Sequence, residues 1–252
     1  MRRRWSGMRA AIGLASVIAV GLAGPGLSRA EREQCQVPAE LTQIDLKLSH
    51  VAERLRAHQP VTIVAIGGAS TIGTAAGQPD LAYPHRLQVA LARAFPDASI
   101  SVVNKGVARQ SAHQMLERFP TDVIAEDPVL VIWEAGINDA VRGTAIDDLA
   151  ASLQSGIDEL KNRAIDIILV DMQFSRRTIT LIDFDKYLKT LHRVGDLNEV
   201  YVFPRFEMMR YWSEQNMFNF DEVSPDERAA VAGRVYDCIG RKLAQIIQRA
   251  VE

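Results

Sequence analysis

The chain has 252 residues, of which 48% are hydrophobic and 24% charged, with two cysteines and a formal charge of −2. That length and balance suit a globular protein with a substantial core, and exclude a disulfide-knotted miniprotein, a collagen-like fibre and a disordered tail. With no lysine/arginine stripe beyond the first residues, the chain also lacks the basic face that a general nucleic-acid binder needs.

Residues 1–30 read as a secretory signal peptide. Arg2, Arg3, Arg4 and Arg9 precede an apolar run from Ala10 to Ala23, and Gly24-Pro25-Gly26 leads to a Ser28-Arg29-Ala30 cleavage pattern. The run is too short to span a bilayer comfortably, so no stable membrane span is expected after its removal; a retained N-terminal anchor is the competing reading. The arginines also faintly resemble a twin-arginine signal. Removal takes away five arginines and no acid, leaving 24 basic against 31 acidic groups, an acidic mature chain of about −7 in the periplasm or outside the cell. In such a compartment Cys35 and Cys238 are either a disulfide or two thiols, and the sequence leaves both open.

Residues 31–252 are expected to form one domain. β-Branched runs mark strands at Val61–Ile66, Ser99–Val103, Val129–Trp133, Ile165–Val170 and Val200–Phe203, each suited to burial on both faces. Helical patterns lie between them: Leu87, Leu91, Ala92 and Phe95; Leu149, Leu153, Ile157 and Leu160; Leu181, Leu188 and Leu191. The alternation predicts a three-layer α/β/α fold with a parallel sheet. Ser224-Pro225-Asp226-Glu227 reads as a capping box opening a last helix, whose apolar face runs through Val231, Val235, Cys238, Ile239, Leu243 and Ile246.

Ligands of such sheets bind beyond the carboxyl ends of the strands. After the first strand, Gly67-Gly68-Ala69-Ser70-Thr71-Ile72-Gly73 makes a tight turn that puts Ser70 at the start of a helix, where it is a nucleophile or a helix cap. A phosphate loop would require a lysine where Thr74 stands. Asn104-Lys105-Gly106-Val107 follows the second strand, Glu134-Ala135-Gly136-Ile137-Asn138-Asp139 the third, and Asp221-Glu222-Val223-Ser224 comes just before the last helix.

These blocks, in this order, resemble the SGNH (GDSL-type) hydrolases, a family of esterases, lipases and deacetylases. The strongest piece is Val131–Asp139, similar to the family's G-x-N-D block, and Tyr83-Pro84 resembles another family feature. The resemblance implies a flavodoxin-like, five-stranded parallel sheet, with Ser70 as nucleophile, the Ser70 and Gly106 backbone and the Asn138 amide as oxyanion donors, and Asp221 as the acid of the D-x-x-H block. Acyl transfer places negative charge on a carbonyl oxygen, so donors converging from neighbouring strand ends fit that chemistry. No cofactor is expected, and no metal, because the five histidines lack ligand-like spacing.

The pattern departs from the family in two places. Ala69 stands where an aspartate often precedes the nucleophile, and Ser224 stands where the catalytic histidine belongs. A hydroxyl is no base near neutral pH. His113 and His85 are the other candidate bases, with Asp221 itself a weak one, and Ser224 is accounted for by its capping role. Between the fifth strand and Asp221, Phe206, Met208, Met209, Tyr211, Trp212, Met217, Phe218 and Phe220 form either an apolar acyl pocket or helix core; Arg176-Arg177 is either an anion contact or a solvated helix start. The expected function is therefore an exported ester hydrolase acting on a small acyl ester or O-acylated glycan. The competing reading is a catalytically impaired binding module for acylated envelope glycans. A flavin or nucleotide carrier of the same shape is a weaker third class.

Overall fold

In the computed structural model, residue 1 and residues 35–218 and 223–252 are described. The signal-like segment and Asp221 lie outside them. Five strands, β1 (Val61–Gly67), β2 (Ile100–Gly106), β3 (Leu130–Glu134), β4 (Asp166–Val170) and β5 (Tyr201–Phe203), form one sheet in the order β2-β1-β3-β4-β5. Every neighbouring pair is parallel.

The connecting helices are α1 (Ser49–Arg56), α2 (Ala69–Ile72), α3 (Tyr83–Ala94), α4 (Ala112–Leu116), α5 (Ile137–Arg142), α6 (Ile146–Lys161), α7 (Arg176–Ile179), α8 (Asp185–Leu197), α9 (Arg205–Glu214) and α10 (Pro225–Val251). α10 packs along α3, while α6 packs against α4 and α8. Because a parallel crossover is right-handed, the reversal of direction after β2 puts these two groups on opposite faces of the sheet. The expected three-layer α/β/α fold with five parallel strands is the one observed.

Burial follows the sequence periodicity closely in α6, where Leu149, Leu153, Ile157 and Leu160 are inaccessible, and in α10, where all six residues of the expected face are buried. Elsewhere the expectation needs correcting. β2 has a partner on one side only and is half-covered, with Ser101 exposed, so it is an edge strand and is not buried on both faces. Ala92 is exposed on α3. Leu181 is 75% exposed and precedes α8, which begins at Asp185 with Leu191 in the core.

The segment leading to α1 is tied to the far end of the chain. Cys35 and Cys238 are joined in a disulfide, resolving the alternative left open by the sequence. Trp212 Nε1 donates to the Gln36 carbonyl at 2.9 Å, and Arg249 Nη1 donates to that of Thr42 at 2.7 Å. Among the described residues, no helix is long and apolar enough to cross a membrane.

Candidate active site

β1 ends in the turn that launches α2, a single helical turn carrying Ser70, which is 6% exposed. β2 ends beside it: a Cβ on Gly106 would stand 2.6 Å from the Ile72 nitrogen, so only glycine lets this strand end approach the Ser70 turn. Asn104 fastens the two, donating from Nδ2 to the Thr71 carbonyl at 2.6 Å and accepting the Gly106 N–H at 2.9 Å. That N–H, the expected oxyanion donor, is thus engaged by a side-chain oxygen in this structure.

β3 supplies the third wall. Gly136 has φ +95°, and a Cβ there would meet Leu191 Cδ1 at 2.6 Å; this left-handed turn opens α5 and presents Asn138. Asn138 Nδ2 lies about 3.3 Å from the position that a Gly68 Cβ would take, two residues before Ser70, and donates to the Gln110 carbonyl at 2.9 Å. Asp139, 1% exposed, accepts the Ala112 N–H at 3.0 Å and so pins the start of α4. Burial raises its carboxyl above the ordinary value, an effect that the Ala112 N–H and other backbone donors oppose. The strand ends bearing Ser70, Gly106 and Asn138 therefore meet at one rim of the sheet.

The candidate bases among the described residues, Ser224, His113 and His85, are held by other partners or lie exposed elsewhere. Ser224 is exposed, and its hydroxyl donates to Glu227 Oε2 at 2.8 Å as a capping residue of α10. His113 is exposed beside Glu117, with Nε2 3.6 Å from Oε1, and His85 is exposed on α3. Asp221 lies outside the described residues. Among those described, Gln173 is the hydrogen-bond partner of the Ser70 hydroxyl, its Oε1 accepting at 3.1 Å, while the Tyr236 phenol is close enough to feel that hydroxyl electrostatically. An amide oxygen orients a hydroxyl without taking its proton. Burial, reinforced by the charge of Glu134, pushes the Tyr236 phenol up to about 12, although Arg205 and Ser70 pull it down, so at neutral pH it is a donor.

A buried polar cluster stands behind Ser70. Thr71 Oγ1 donates to Glu134 Oε2 at 2.6 Å and lies 3.3 Å from the Tyr83 hydroxyl. Arg205 Nη2 donates to Glu134 Oε1 at 3.3 Å, and both side chains are 1% exposed. Burial raises the Tyr83 phenol far above its ordinary value, and Glu134 raises it further. Sequence reasoning missed Gln173, Tyr236 and Arg205. The only available signals were the position of Gln173 just after a strand and of Arg205 at the start of the helix after β5.

The aromatic stretch divides. Phe206, Met208, Met209, Trp212 and Phe218 are buried in the core, with Phe174 edge-on to Phe206 and Trp212 edge-on to Phe218, while Phe220 lies outside the described residues; among those described, Met209 alone of the stretch lines the cavity that Gln173 borders. Arg176 and Arg177 are exposed at the start of α7, which Ser175 caps by accepting the Thr178 N–H. A larger hollow of about 540 Å³, lined by His50, Glu53, Arg54 and Asp127, borders Val129 and Ile165 at the opposite, amino end of the strands and is remote from this chemistry.

Residues 34–252 match the Non-GDSL lipase-like family, and the chain belongs to that family. No curated protein matches it. Among solved structures it is similar to a two-domain esterase (CEX) active on acetylated mannans, with a TM-score of 0.67 and 17% identity over 85% of this chain and 58% of that one. It is also similar to Axe2, an acetylxylan esterase from Geobacillus stearothermophilus (0.56, 22%, 76% of this chain and 94% of that one). TesA is a third (0.55, 19%, 71% and 97%). At these identities the likeness carries the fold, and the resemblance to SGNH hydrolases read from the sequence holds for family and fold.

Proposed function

We propose that this protein is an ester hydrolase whose nucleophile is Ser70 and whose substrate is an acyl ester, in the setting of an O-acylated envelope glycan. The observation that carries this reading is the meeting of three strand ends around one hydroxyl, with the Asn138 amide poised over the turn before it. The esterase neighbours of the same fold support it.

The Ser70 oxygen bonds to the ester carbonyl carbon, and the carbonyl π pair moves onto its oxygen. The Ser70 N–H, in the first helical turn where no intrahelical acceptor reaches it, and the second Asn138 N–H stabilise that charge. Gly106 joins them once its N–H leaves Asn104. Collapse breaks the ester C–O bond, and the serine proton ends on the departing alcohol. Water then carries the acyl group off as carboxylic acid and restores the hydroxyl. Asp221 is assigned to polarise or accept the proton in place of the missing imidazole.

A second reading rests on a specific observation: among the described residues, the Ser70 hydroxyl is held by the Gln173 amide oxygen, which is not a base. On that reading the site holds an acylated ligand without cleaving it. Hydrolysis of p-nitrophenyl acetate separates the two. Turnover lost in Ser70→Ala supports the hydrolase, and equal background rates for both proteins overturn it. If only a base is lacking, Ser224→His raises the rate, by up to the roughly 10⁶-fold that a triad histidine contributes; no change in a folded variant means that more than a base is missing.

Export fits the signal-like residues 1–30 and the Cys35–Cys238 bond, which persists in oxidising compartments. We accordingly place a single mature domain, residues 31–252, in the periplasm or outside the cell.

A further inference from the structure

A cavity of about 230 Å³ lies behind Gln173, the residue that accepts the Ser70 hydroxyl, and is walled by Phe174 from the loop after β4, Met209 from α9, and Val231, Ala232 and Val235 from α10. Tyr236, whose phenol feels the Ser70 hydroxyl, lines the same cavity. We propose that this cavity receives the acyl chain of the ester and selects chains of about six to eight carbons over acetyl. The proposal rests on the reading of Ser70 as a residue that meets acyl esters, and adds to it the identity of the acyl group.

Size and chemistry both point this way. At about 30 Å³ for a water-sized group, the space holds seven or eight such groups, far more than the methyl of an acetate needs. It falls below the roughly 300 Å³ at which pockets for larger ligands begin, so an oligosaccharide does not fit inside. Nor do the walls suit one, because sugar hydroxyls buried against valine, methionine and phenylalanine would lose their hydrogen bonds to water without replacement. The sugar, or whatever alcohol the ester carries, stays outside, where the exposed Arg228 borders the opening. An acyl chain turned inward leaves its carbonyl among the polar groups at the Ser70 end.

The test compares p-nitrophenyl acetate, hexanoate and octanoate, with Ser70→Ala as the blank, and measures binding of sodium octanoate and sodium acetate calorimetrically. Each methylene transferred from water to an apolar wall is worth about fourfold, so the four extra methylenes of hexanoate should raise kcat/KM over that for acetate by up to about 250-fold. Ala232→Trp, at a half-exposed helix position, should bring that ratio to about one and abolish octanoate binding. Met209→Ala, which enlarges the space, should move the optimum to longer chains. If no ester turns over but octanoate binds and Ala232→Trp abolishes this, the pocket stands and the hydrolase reading falls. If acetate is cleaved in a Ser70-dependent way with no chain-length preference and octanoate does not bind, the hydrolase reading stands and the pocket proposal is overturned.

Discussion

Charge is present near the Ser70 hydroxyl, but one layer too deep to take its proton. Glu134 ends β3 fully buried and is occupied by Thr71 and Arg205, so its carboxylate holds Thr71, the residue after Ser70, in place. A buried ion pair adds little net stability over a well-packed apolar pair, yet breaking one side of it leaves an uncompensated charge. Glu134→Ala should therefore cost about 3–5 kcal/mol in urea unfolding, whereas the double replacement Glu134→Leu with Arg205→Met should recover most of that loss. A single variant as stable as the parent would mean that water reaches the guanidinium. At this scale the motif residues stood out only as an ordered set at successive strand ends, because a single glycine or asparagine there is more often an ordinary turn residue. Tyr236 was not, because nothing in a tyrosine on the apolar flank of a helix announces that it meets a serine 166 positions earlier, and Glu134 stood in plain view without any sign of its partner.

Among the elements, the strands were readable wherever both faces are covered, as in β3, where all five residues are buried. β2 was misjudged because its β-branched residues are the same whether a strand has one neighbour or two. α8 also hides an interaction that periodicity does not carry: its His192 Nε2 lies 3.1 Å from Asp171 Oδ2, at the end of β4, whose other oxygen accepts the Phe206 N–H at 2.8 Å. The bond to Asp171 raises His192 above the ordinary 6.5, with partial burial opposing. Burial raises Asp171 above 3.8, with His192 and the Phe206 N–H opposing. Both signs point the same way. A histidine raised in the folded state contributes stability that is complete below 6.5 and fades as pH climbs through its folded value; a carboxyl raised in the folded state likewise loses stability as pH rises from 3.8. Thermal midpoints measured from pH 5 to 9 should thus fall on the alkaline side of 6.5 more steeply for the parent than for His192→Gln, which retains a donor but does not titrate. Parallel curves would show that the pair does not couple to folding.

For the molecule as a whole, the Cys35–Cys238 bond closes a loop of 203 residues, enclosing the entire sheet and anchoring the chain entry to the middle of α10. The sequence offered only two cysteines and a compartment; their pairing depends on α10 returning across α3 to meet the entering strand of chain, a tertiary outcome without a local signature. Loop-closure entropy for this length amounts to about 5 kcal/mol in the unfolded state, comparable with the whole stability of a marginal domain. The arm from Cys35 to α1 is also held by Trp212 and Arg249, which remain after reduction. Reduction should therefore lower stability while leaving the sheet assembled. Cys35→Ala with Cys238→Ala should reduce the unfolding free energy by about 2–5 kcal/mol, and dithiothreitol should shift the urea midpoint of the parent by a similar amount while leaving the double variant unaffected. If the native, non-reduced protein titrates two free thiols and its midpoint ignores the reductant, the bond does not form in solution, and the placement of this chain beyond the inner membrane loses its covalent support.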